Sequence, residues 1–225
     1  MPGLIPLCIF IVSLTFFSGG YFISSSFYFR KFDVKYSLKR MFPYEFNYPN
    51  AFKNNIYGNI AFLISISGIV VFYVYYLNTL PASNVAAFVL VIMAFIAAVA
   101  TCCLLFMPLQ FLRMHMMIST IGMVVAFALP AMACSIIFPS YRDSLEHKVV
   151  YLVAFIIGAI MAVAMLILLL NPRATYKIYM EKDKNPDGTE RAVRPRFIPI
   201  AFNEWWAIIT FILSPIPLLI TSFIA

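Results

Sequence analysis

The 225-residue chain is 63% hydrophobic and only 11% charged, with a mean hydropathy of +0.92. Soluble domains carry roughly 45–50% apolar and about 25% charged residues, so a water-soluble monomer of this composition would expose more apolar surface than such proteins tolerate. The formal charge is +7, but the bases lie between apolar runs rather than in a patch that would bind nucleic acid, and no nucleic-acid partner is expected.

A spanning helix needs about 20 mostly apolar residues. The expected fold is therefore all-α: a polytopic membrane protein of about six transmembrane helices in one bundle, forming a single transmembrane domain over residues 1–225. The first span is read at about 4–28. No Lys or Arg precedes Arg30, so this segment lacks the positive region of a cleaved signal and is read as a retained helix that Arg30 and Lys31 end. Spans two and three are read at 57–80 and 85–108, separated by the turn residues Leu80-Pro81-Ala82-Ser83-Asn84.

The next joint is the softest. Only Arg113 and His115 interrupt the run from Val85 to Phe138, which as one helix would be roughly 80 Å long. Two helices with a turn over Met107–His115 fit better, placing span four at 115–138. Pro139 to Asp143 closes it. Span five follows at 148–170, ended by Asn171-Pro172-Arg173, and span six at 200–224.

Loops after spans one, three and five carry 14 of the 16 Lys and Arg residues. The expectation is that the basic loops, 29–56 and 171–199, are cytoplasmic and both termini lie outside. In the first loop, Arg30, Lys31, Lys35, Lys39 and Arg40 interleave with Phe and Tyr. They read as an interfacial segment on lipid headgroups, or as a docking surface for a partner or a specific headgroup. The second loop alternates polar and apolar residues on either side of Asn185-Pro186-Asp187-Gly188, which reads as a short β-hairpin before the last helix.

Ionisable residues at membrane depth are costly and become functional candidates by default. Arg113 and His115 are placed at the inner interface, where a side chain can snorkel to water. Glu204 opens span six beside Trp205 and Trp206, two expected interface anchors. The helix dipole favours a carboxylate there. The sharper reading brings Glu204 to Arg113 or His115, making a polar pocket near the inner leaflet.

Catalytic signatures are lacking. The two histidines, His115 and His147, fall on opposite predicted sides, and no metal-ligand, nucleophile-elbow or phosphate-loop motif occurs. No catalytic residue, cofactor or metal is assigned. Cys8, Cys102, Cys103 and Cys134 all lie in apolar runs and read as small hydrophobes. Stretches such as Ser65-x-Ser67-Gly68 and Ala94, Ala97, Ala98 and Ala100 allow close helix approach, within the chain or with another subunit.

Phe42-Pro43-Tyr44 with Pro49 ahead of span two, and Glu204-Trp205 opening span six, resemble the Frag1/DRAM/Sfk1 membrane family. The resemblance implies a six-helix protein tied to membrane lipid handling. It also implies that the loop before span two lies outside the cytoplasm, opposite to what the bases imply. The functional expectation is a non-enzymatic accessory or scaffolding subunit of a larger membrane assembly, with membrane lipids and other membrane-protein subunits as partners. The alternative is a transporter of lipid or small solute, or a lipid-handling protein, using the Arg113, His115 and Glu204 pocket. A lipid-modifying enzyme is a third reading.

Overall fold

A computed structural model describes residues 3–47, 55–79, 85–107, 112–170, 181–184, 190–193 and 196–224. Its long helices are α1 (Leu4–Phe32), α2 (Ile56–Thr79), α3 (Val85–Phe106), α4 (Leu112–Asp143), α5 (Lys148–Leu169) and α6 (Pro199–Leu213), followed by the short α7 (Ile216–Thr221). With α6 and α7 counted together, six segments are long and apolar enough to cross a membrane, as the sequence implies. Strands β1 (Glu181–Lys184) and β2 (Glu190–Val193) pair antiparallel, with Glu181 opposite Val193 and Lys184 opposite Glu190. The turn expected at residues 185–188, the Leu80–Asn84 turn and Pro49 lie outside the described residues.

Several boundaries move. Helix α1 continues through Arg30 and Lys31 to Phe32, because cations in a last helical turn are favoured by the helix dipole. Asp33 then ends it in the left-handed conformation, its N–H bonding the Phe29 carbonyl. Helix α4 begins at Leu112, so His115 sits in its first turn rather than in a joint, and it runs past Pro139 to Asp143. The last span is not one helix. Pro215 has no N–H to offer the Phe211 carbonyl, and the Ser214 hydroxyl donates to that carbonyl instead, at 2.7 Å. Tyr73 of α2 in turn donates to the Ser214 oxygen at 2.6 Å, so the break is satisfied inside the protein.

Helix α1 lies along α2, α4 packs on α3 and α5, and the α6–α7 span fits against α3, α4 and α5. That last span is the most buried of the six, while spans one and five are the least. The small residues act within the chain. A Cβ on Gly68 would meet the Ser13 hydroxyl, and one on Gly58 that of Ser24, so α1 and α2 approach closely there and a larger residue would force those serines to move. Ala94, Ala97, Ala98 and Ala100 of α3 are likewise buried among neighbouring helices.

Candidate functional site

The polar residues gather at one end of the bundle, where α1, α3 and α5 finish and α2, α4 and α6 begin. A folded segment closes that end. Beyond Asp33 the chain turns at Ser37–Met41, the Met41 N–H bonding the Ser37 carbonyl at 2.9 Å. It then forms a 3₁₀ turn over Pro43–Asn47. Proline in the first position suits a helix start. Glu45 reaches back to accept the Phe42 N–H at 2.9 Å, one half of a capping box. Met41, Phe42, Pro43, Tyr44, Glu45 and Phe46 are all buried. This part of the basic loop therefore does not rest its aromatic rings in the headgroup layer; it plugs the bundle.

Two sets of bonds hold the plug. Trp205 donates its indole N–H to the Met41 carbonyl at 3.0 Å and toward the Tyr36 oxygen at 3.1 Å, while Tyr36 donates to the Phe42 carbonyl at 2.6 Å. Burial, with the Glu45 carboxyl nearby, holds the Tyr36 phenol well above its usual pKa, so it stays a donor. Phe46 stacks on Tyr36 at 4.0 Å, and Tyr21 meets the rings of Tyr36, Phe46 and Trp205 edge-on. On the other side Asn55 donates to Asn59, Asn59 to Asn47, and Asn47 to the Leu105 carbonyl that ends α3. Farther along the chain the Ile198 N–H bonds the Lys39 carbonyl at 2.8 Å, tying the start of α6 to the plug.

Beneath the plug lies a buried acid–base pair. His115 Nε2 is 2.8 Å from Glu204 Oε1, and the side chains are 1% and 0% exposed. His115 Nδ1 is 3.1 Å from the Met107 carbonyl. A carbonyl has no proton to give, so Nδ1 carries the hydrogen. The Nε2–Oε1 contact then holds a single proton, on the imidazole or on the carboxyl group. Either way the pair is neutral overall, which is how it avoids the several kcal/mol that an isolated buried ion costs. Phe42 and Tyr44 stand edge-on to the imidazole, with ring centroids 6.0 and 5.6 Å away.

This geometry constrains the chemistry. Both imidazole nitrogens are engaged, so His115 has no lone pair left to ligate a metal or take a substrate proton in this conformation. Spare capacity lies instead on Glu204 Oε2 and on the hydroxyl of Ser119, one helical turn beyond His115 and beside the carboxylate. Neither oxygen makes a well-formed hydrogen bond among the described residues, although the Ser119 hydroxyl stands close enough to act on the carboxylate. Within those residues no group of three His, Cys, Asp or Glu could hold a metal ion.

The expected site residues divide. The structure joins His115 to Glu204 but leaves Arg113 exposed and apart. Glu204 is in the second turn of α6, beyond the reach of the helix dipole, and it is buried rather than interfacial. His115 does not snorkel; its bond to Glu204 lets it stay inside. Trp205 is 1% exposed and is no interface anchor, because its N–H has a buried carbonyl to bind. Trp206 keeps an outward position, stacked on Phe202. Arg30, Lys31, Lys35 and Lys39 are exposed and Arg40 half-buried. Asn59 was expected only as a residue able to bond across helices, and Glu45, Asn47, Asn55, Tyr36 and Ser119 were not anticipated. Only Pro43 followed by Glu45 carries a local signal, that of a helix start.

No protein-family model, curated protein or solved structure matches the chain.

Proposed function

We propose that the chain is a non-enzymatic lipid-handling membrane protein, whose working centre is the His115–Glu204 pair beneath the Met41–Asn47 plug. The observation that carries this reading is Glu204 Oε2 in a fully buried pair: it makes no well-formed hydrogen bond, and among the described residues only the Ser119 hydroxyl stands beside it. A carboxylate oxygen without a donor is costly in an apolar interior. A lipid headgroup bearing a hydroxyl or ammonium supplies that donor. When it does, the proton shared with His115 shifts toward the imidazole and the pair stays neutral. The plug must move for a headgroup to arrive, and its return excludes water. The 14-to-2 split of bases favours a cytoplasmic position for the plug and the hairpin, and so supports a centre near the inner leaflet. Labelling of a Lys184→Cys variant from outside intact cells would reverse that orientation.

Reconstitution tests the function. Vesicles containing the protein should move headgroup-labelled phospholipid between leaflets faster than empty vesicles. Glu204→Gln, which keeps the shape but loses the charge, should slow this at least about tenfold, the effect of one lost charge-assisted bond. An unchanged rate would refute the reading. A second reading, an accessory subunit of a larger assembly, is favoured by the outer faces of α1 and α5, which are the least buried of the six spans. It requires partners that co-purify under gentle extraction; a monomer without partners in several mild detergents counts against it.

A further inference from the structure

A cleft separate from the His115–Glu204 pair opens beside the plug. It measures about 310 Å³ and is formed by Phe27, Tyr28, Arg30, Lys31 and Phe32 from the end of α1, Phe46 from the plug, and Asn55 ahead of α2. The turn at Asp33 brings the plug back against α1 and so makes the far wall. The volume is at the lower end of the range for small-molecule sites. The chemistry is divided: aromatic rings on the walls, two cations at the rim, and no acidic residue among the described lining. Arg30 and Lys31 are exposed, and the Lys31 ammonium lies 5.2 Å above the Phe32 ring. A soluble phosphate would use the cations and leave the rings wet. A choline or ethanolamine group would face two like charges. A phosphodiester with a glycerol and acyl chain attached satisfies both halves, and the end of a spanning helix is where such a group lies in a bilayer.

We propose that this cleft seats an anionic glycerophospholipid, its phosphate on Arg30 and Lys31 and its glycerol and first acyl carbons along Phe27, Phe32 and Phe46. The site deepens the lipid-handling reading but does not depend on Glu204. The full chain in a neutral maltoside detergent would be titrated with phosphatidylglycerol, phosphatidylcholine or inorganic phosphate, and retained lipid counted by native mass spectrometry. Phosphatidylglycerol should bind, with the other two far weaker. Arg30→Gln/Lys31→Gln should weaken binding about 25-fold, roughly fivefold for each juxtamembrane base. Lys35→Gln/Lys39→Gln removes the same charge outside the cleft and should change it less than about twofold. Equal losses from the two double variants would mean unspecific attraction and overturn the proposal. So would equal binding of phosphatidylcholine, or competition by inorganic phosphate at the lipid's own affinity. Glu204→Gln should leave this binding intact, so failure of the cleft and failure of the buried pair are separate results.

Discussion

At the plugged end of the bundle, side-chain hydrogen bonds join residues 58, 89 and 164 positions apart: Asn47 to Leu105, His115 to Glu204 and Trp205 to Met41. At the opposite end the hydroxyls of Thr79, Thr221 and Ser222 each turn back to a carbonyl three residues away. The one ion pair described there between unlike side chains other than histidine, Arg142 with Asp143, is exposed and links neighbours in sequence. A local bond satisfies its own helix and says nothing about which helix lies alongside. A distant bond has one geometry in which it forms. The plugged end therefore fixes how α3, α4 and α6 sit together, whereas toward the other end fewer such bonds join the helices, chiefly that of Tyr73 to Ser214, 141 positions apart, and the remaining packing is apolar.

The contrast predicts unequal costs. Glu204→Ala should be the most damaging change, about 3–5 kcal/mol in detergent unfolding, because it leaves His115 buried without its partner. His115→Leu/Glu204→Leu should recover most of that loss, since an apolar pair of similar size is often no worse than a buried ionic one. Such recovery in stability without recovery of lipid movement would separate the role of the pair in folding from its role in function. Trp205→Phe keeps most of the ring but removes the donor that holds Met41. A loss of about 1–3 kcal/mol is expected, because only the Tyr36 hydroxyl, 3.4 Å away and already bonded to the Phe42 carbonyl, is left to reach the Met41 carbonyl. Thr221→Val at the far end should cost about 1 kcal/mol: the Leu218 carbonyl keeps its backbone donor from Ser222, and what is lost is the contact of the Tyr76 hydroxyl with Thr221. Equal costs at Thr221 and Trp205 would erase the distinction between the ends.

Much of the fold was legible. Spans two, three and five lie within a residue or two of where apolar length puts them. The errors at α1 and α4 share a cause: bases and a proline were taken as stops, although a last turn accepts cations and α4 runs on past Pro139. At α6 the error runs the other way, since a span read as continuous breaks at Pro215, where a neighbouring hydroxyl replaces the missing N–H. The site was less legible. Glu204 and His115 stood out because ionisable residues are rare in this chain, and Arg113 stood out for the same reason but faces away. Glu45 and the asparagines of the plug looked like ordinary loop residues, since nothing local distinguishes a polar side chain that folds inward from one left in water.

Six apolar spans were determined by the sequence alone, because hydropathy is a property of about twenty consecutive residues and needs no knowledge of neighbours. The pairing of His115 with Glu204, the burial of Trp205 and the folding of Met41–Asn47 into the bundle were decided by tertiary structure. Each depends on a donor and an acceptor brought together from distant parts of the chain, and where no water remains to bind them, only the packed helices determine which partners meet.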